Sequence, residues 1–336
     1  MLTRRRSFFK PLISLTCVLL ATSVAPLLAQ TVSPDAYPTK PVRILVGFTP
    51  GGGPDITARL LAQKLTENWK QPVIVENRPG AGSNIAAQAL ATAPADGYTL
   101  LSVSSAHAVS PAIYAKLPYD VAKDFAGISL TATGPALLIV SPQLGVKNVA
   151  ELVALAKSKP GQLNYSSAGV GSGAHFAVEL LKAQAGIDLA HIPFKGIPEA
   201  LTETMAGRTQ VFIAPFASAI NLVKDGKAMA IAVTGAKRMA ELPALPTVAE
   251  SGVAGLSNYE WVFWYGLLAP AKTPRHIVAK LNAEVSAILK QPEVRQRFAP
   301  LGIDPVTSTP EEFDKLIASE VASFTRLAKA ANIKLD

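Results

Sequence analysis

Val42-Arg43-Ile44-Leu45-Val46-Gly47-Phe48-Thr49-Pro50-Gly51-Gly52-Gly53-Pro54-Asp55 decides the fold. Ile44, Leu45 and Val46 form a continuous apolar run, the pattern of a strand buried on both faces of a parallel sheet. Three glycines break it. Ile56, Leu60, Leu61, Leu65 and Trp69 then recur at helical spacing. Outward from this strand–turn–helix, residues 73–75 read as a second strand, 84–93 as a helix and 98–103 as a third strand. Such a βαβαβ order implies a parallel sheet with right-handed crossovers.

The pattern restarts with a strand at 136–140. Asn148 opens the next helix, and Glu151 three residues on completes a capping-box-like pair. A strand at 163–165 runs into a Gly/Ser loop and a helix carrying Phe176, Leu180 and Leu181. Strands near 190–193, 211–214 and 228–233 follow. The tail differs: a strand at 261–268, then helices opened by Thr273-Pro274 and by Thr309, Pro310 and Glu312. It is expected to fold back onto the first unit through crossings near 133–135 and 254–256. The fold class is therefore α/β, two lobes joined by two hinge strands into a clamshell. Each lobe has a parallel-type sheet, and the ligand cleft lies between them. The expected divisions are 1–29 as signal peptide, 30–134 plus 257–336 as lobe 1, and 135–256 as lobe 2.

Composition bounds the function. Among 336 residues, 49% are hydrophobic and 17% charged, which is globular. Arg4, Arg5, Arg6 and Lys10 precede an uncharged apolar stretch from Pro11 to Ala29, the order of a secretory signal. Arg5-Arg6-Ser7-Phe8-Phe9-Lys10 also fits a twin-arginine signal, so both export routes stand. Cys17, the one cysteine, falls inside that segment, which excludes disulfides and thiolate chemistry from the remainder. The net charge of +8 loses four cations with residues 1–29, leaving +4. No basic stripe speaks for nucleic acid.

The binding candidates lie where strands end and helices begin. In Phe48, Thr49, Gly51 and Gly52, glycines let N–H groups approach an anion, and the helix behind adds its positive dipole end. Asp55 is placed to cap that helix. Ser166, Ser167, Gly169 and Ser172 repeat the arrangement in the second lobe, as an oxyanion cradle of N–H and hydroxyl donors. The glycines lack the acidic ribose partner of a dinucleotide fingerprint, and Ser172 does not fit a nucleophile elbow. Ser104, Ser105 and His107 end the third strand at the same edge. His107 and His175 are each readable as ligand contacts or as structural residues, whereas His191 and His276 read as structural. Four dispersed histidines without paired carboxylates make no metal site, and no cofactor is expected. Asn84 reads as a helix cap.

Several blocks together resemble one family. They are Tyr37-Pro38, Pro41-Val42-Arg43, the 48–55 glycine loop, Val75-Glu76-Asn77-Arg78-Pro79-Gly80-Ala81-Gly82, Asp96-Gly97-Tyr98-Thr99-Leu100, Leu117-Pro118-Tyr119-Asp120, the 165–175 loop, His191-Ile192-Pro193-Phe194-Lys195-Gly196, Leu242-Pro243 through Pro246-Thr247, and Trp264-Tyr265-Gly266-Leu267-Leu268-Ala269-Pro270. The sequence resembles the extracytoplasmic solute receptors of tripartite tricarboxylate transporters, the Bug family. The resemblance implies a monomeric, non-enzymatic periplasmic receptor with the two-lobed periplasmic-binding-protein (Venus flytrap) fold. It would hold a carboxylate through the 48–55 and 166–175 loops, with ordered waters beside the first. It would deliver that ligand to membrane permease subunits. Family members often carry an aspartate where Ala214 stands, which argues against an amino-acid ligand here. Phe212, Phe216, Phe263 and Trp264 offer an apolar wall or are core. An aromatic, phthalate-like acid and an aliphatic dicarboxylate both fit. A sensor presenting the ligand to a membrane kinase, and an exported hydrolase using Ser167 or Ser172 with His175, are the competing readings.

Overall fold

The apolar run becomes the strand β1 (Val42–Val46), with Val42 and Ile44–Val46 buried and Arg43 exposed. The structure, a computed structural model, describes residues 37–330 together with Thr3 and Ile333. Residues 37–330 belong to one unit, 34–336. The expected signal segment, with Cys17, lies outside the described residues.

Helix α1 (Gly53–Trp69) starts at the third glycine and buries Leu60, Leu61 and Leu65 against the sheet. Strands β2 (Val73–Asn77) and β3 (Thr99–Ser104) flank β1, both parallel to it. Helices α2 (Asn84–Ala91) and α3 (Ala106–Ile113) complete this half. In the second half, β5 (Asn164–Ser167) lies parallel to β6 (Ala190–Pro193) and β7 (Val211–Pro215). It carries α4 (Val149–Ser158), α5 (Gly173–Ala185), α6 (Ile197–Met205), α7 (Phe216–Lys224) and β8 (Met229–Val233).

Two long antiparallel strands join the halves. β4 (Phe125–Val140) pairs with β9 (Val262–Pro270) up to Pro135, and from Ala136 onward with β7. The strand order is β2-β1-β3-β9-β4-β7-β5-β6. Each lobe is thus a parallel triplet bordered by antiparallel strands. The sequence reading found only the last third of β4, because Gly127, Gly134 and Pro135 interrupt its apolar pattern. Both glycines are required by packing. A Cβ at Gly127 would stand 2.6 Å from Asp314 Oδ1, and one at Gly134 2.9 Å from the Gly302 carbonyl oxygen.

The tail packs along the long strand β4. After α8 (Arg275–Leu289) and α9 (Pro292–Phe298), β10 (Asp304–Pro305) pairs with β4 at Thr133 and Ala132. Helix α10 (Pro310–Ala330) packs against α3. Both foreseen capping boxes form. Glu151 N–H donates to Asn148 Oδ1 at 2.9 Å, and Glu312 N–H to Thr309 Oγ1 at 3.1 Å.

Candidate binding cleft

The carboxyl ends of the parallel triplets face one another across a small cavity. Its wall comprises Phe48, Gly52, Gly53 and Pro54 from the β1–α1 turn, Ser104 at the end of β3, and Ala168, Ser172, Gly173 and Ala174 around the start of α5. Ile197 at the start of α6, Pro215 before α7, and Phe263 and Tyr265 of β9 close it. The starts of α1, α5, α6 and α7 therefore border one cavity, and Ser104, just ahead of α3, joins them. Each helix N-terminus carries roughly half a positive charge, and its first N–H groups have no intrahelical partner. Among the described residues, no Asp, Glu, Lys, Arg or His lines the wall. Such dipoles and hydroxyls favour negative charge, and the rest of the wall is carbon surface. It encloses ≈ 30 Å³, the space of one water. The lobes must part to admit a larger solute. They meet here where Ser218 Oγ donates to the Gly51 carbonyl at 3.1 Å and Thr49 Oγ1 packs against Gly196.

Asp55 braces the first loop. Its carboxylate, 3% exposed, accepts from Gly51 N–H at 3.0 Å, Asn77 Nδ2 at 2.9 Å and Arg59 Nε at 3.0 Å. Burial raises its pKa, but the bonds from Arg59, Gly51 and Asn77 outweigh that and hold it below the ordinary carboxylate value. The capping expectation is corrected in detail: Gly52 is the N-cap, and Asp55 ties back the turn ahead of it. Asp55→Ala removes the buried acceptor shared by Gly51, Asn77 and Arg59 and is expected to cost about 1–2 kcal/mol in urea denaturation. An unchanged midpoint would contradict this bracing role.

The second loop is held from within. Ser172 Oγ caps α5 by accepting from His175 N–H at 3.3 Å, which leaves the Gly173 and Ala174 N–H groups at the cavity. Gly169 (φ +112°) and Gly171 (φ +80°) take left-handed conformations that favour glycine. Ser166 Oγ is engaged with Thr204 Oγ1 at 2.8 Å, and Ser167 Oγ with His191 Nε2 at 2.7 Å. Both serines are fully buried and stand behind the cavity wall rather than on it.

Of the other predicted residues, Phe48, Gly52, Ser104 and Ser172 reach the cavity. Thr49 and Ser105 stand beside it, and their hydroxyl oxygens are buried without a partner among the described residues. Ser105 lies against Gly173 across the cleft. His107 does not line it. Its ring packs edge-on to Phe125 at 4.8 Å and parallel to Tyr119 at 6.2 Å, and burial lowers its pKa to about 4. His175 is likewise interior, its Nδ1 accepting from Gly171 N–H at 3.2 Å. Ala214 is buried in β7 opposite Leu137, and its neighbour Pro215 forms the wall instead. Of the four aromatics weighed, Phe263 alone lines the cavity. Asn84 does not cap α2; its Oδ1 accepts from Ser110 and Tyr119 hydroxyls. Tyr265 escaped the sequence reading as a wall residue. Its ring packs on Gly53, where a Cβ would come within 2.1 Å of it, and only the β3–β9 pairing brings them together.

The family model described as "Tripartite tricarboxylate transporter family receptor" (TctC) matches residues 57–333. The chain belongs to this receptor family. BugT of Bordetella pertussis is 33% identical to this TctC receptor over 310 residues, 92% of this chain and 94% of the relative. Rpa4515 of R. palustris, solved with adipate, superposes at a TM-score of 0.85 with 35% identity, covering 89% of this chain and all of that one. MatC from Rhodopseudomonas palustris, solved with bound malate, superposes at 0.80 with 31% identity, covering 87% and 99%. TctC receptors are solute-binding proteins, not enzymes.

Proposed function

We propose that this TctC receptor works in the periplasm, closing residues 30–134 plus 257–336 and residues 135–256 around a small dicarboxylate for delivery to the membrane permease subunits. One observation carries the reading: the starts of four helices, with Ser104 just ahead of α3, border a cavity wall that bears no charged side chain among the described residues. In it, a carboxylate is held by neutral N–H and hydroxyl donors, each charged hydrogen bond contributing about 1.5–3 kcal/mol. Gly52, Gly53, Ser104 and Tyr265 would take one carboxylate and Ser172, Gly173 and Ala174 the other. Phe48, Ile197 and Phe263 would cover the carbon chain between. The adipate and malate complexes of the two relatives support an aliphatic diacid over a phthalate-like one.

Thermal-shift measurements with adipate, malate and phthalate test this. At a hundred times its dissociation constant, the bound acid stabilises the fold by about 2.7 kcal/mol. Adipate is expected to raise Tm most. If none of the three raises Tm, the reading fails.

A further inference from the structure

Beneath the second loop lies a polar stack that ligand contact does not explain. His191 stacks on His175 with centroids 4.1 Å apart and planes at 6°, and on Tyr165 at 4.7 Å and 14°. Tyr165 donates to Glu179 at 2.5 Å, and Lys182 pairs with the same carboxylate at 2.8 Å and lies over the Tyr165 ring. Apolar side chains would fill this space without desolvating anything. The two imidazoles instead spend their nitrogens on the loop. His191 Nε2 meets Ser167 Oγ, which in turn accepts from Gly169 N–H at 3.1 Å, and His175 Nδ1 accepts from Gly171 N–H. Ser167 still pairs with β6, and Ser172 N–H closes a turn on the Gly169 carbonyl, but with glycines in left-handed conformations at 169 and 171 the segment between leaves the ladder, and these side-chain bonds help shape its path.

We propose that His191 and His175 are positioning residues of the binding site: a stacked pair of neutral rings that locks residues 167–171 and so aims the Ser172–Ala174 helix start into the cleft. The proposal rests on the carboxylate reading of that cleft. The rings must be neutral. Protonated Nδ1 of His175 would be a donor and lose Gly171 N–H, and two imidazolium faces at this distance would repel. The groups facing the pair are Tyr165, Glu179 and Lys182. Burial foremost, helped for His175 by Lys182 and for His191 by His175, holds their pKa values near about 4 and about 3.

The test compares His191→Leu and His175→Leu with His191→Gln, which keeps a polar atom near Nε2, and His175→Asn, which keeps an acceptor at the place of Nδ1. Calorimetry with adipate is expected to show about tenfold weaker binding in the leucine variants, with Gln and Asn restoring it to within about threefold. Amide exchange at Gly171 and Gly169, measured without ligand, is expected to accelerate in the leucine variants only. Wild-type affinity in the leucine variants, or Gln and Asn behaving like Leu, would overturn the proposal. Should adipate, malate and phthalate all fail to bind the wild type, the carboxylate reading falls. The exchange rates then decide the positioning role alone, and unchanged protection refutes it.

Discussion

Gly173→Val is expected to weaken carboxylate binding by about 10- to 100-fold while leaving the unliganded protein folded. Gly173 opens α5 without a left-handed φ, so valine meets no backbone strain there. Space is the obstacle. A Cβ at this position would lie 2.6 Å from the Phe263 ring and 2.6 Å from Ser105 Oγ. Phe263 belongs to β9 and Ser105 to the start of α3, both across the cleft from α5. The overpacking, about 1–3 kcal/mol, therefore falls on the closed form and subtracts from binding, where each 1.4 kcal/mol is a factor of about ten. Gly173→Ala should fall between wild type and valine. Calorimetry with adipate beside a ligand-free melt checks this. Undiminished affinity would show that closure does not bring these surfaces together.

Acid should destabilise the fold steeply between pH 6.5 and about 4. Burial lowers the pKa of His107 and His175 to about 4 and of His191 to about 3 from 6.5. In this window the unfolded chain binds a proton at each site and the folded one does not, so stability rises with pH and is lost as pH falls. Each histidine contributes about 1.4 kcal/mol per pH unit, and three together approach 4. Over two units that rivals the 5–15 kcal/mol total of a typical domain. Asp55, with its lowered pKa, acts in the same direction as pH approaches the carboxylate range. Denaturant midpoints at pH 7 and pH 5 measure the effect. His107→Phe, which keeps the aromatic packing with Tyr119 and Phe125, should flatten the slope by one proton's share. Equal midpoints at the two pH values would contradict buried neutral histidines.

The strand-to-helix turns were readable because their cause is local. A buried apolar run followed by glycine and a helical period leaves few alternatives, and β1, α1, β5 and α5 lie where that pattern puts them. The caps at Asn148 and Thr309 were legible for the same reason. What stayed hidden depends on distant partners. β4 reads as broken because its glycines answer to Asp314 and Gly302, far along the chain. Tyr265 and Phe263 join the cavity through pairing between β9 and its neighbours, which no spacing encodes. The histidines show the complementary error. His107 and His175 do follow strand ends, but their rings turn into aromatic packing and the loop interior. His191, read as structural, touches Ser167 of the binding loop itself.

A crystal structure of the protein with adipate bound would test the central claim most directly. The account predicts one carboxylate within hydrogen-bonding distance of the Gly173 and Ala174 N–H groups and Ser172, the other at the Gly52–Gly53 turn, and no Arg or Lys side chain touching either. Adipate held by a basic side chain, or seated away from the wall formed by Phe48, Ile197, Phe263 and Tyr265, would contradict it.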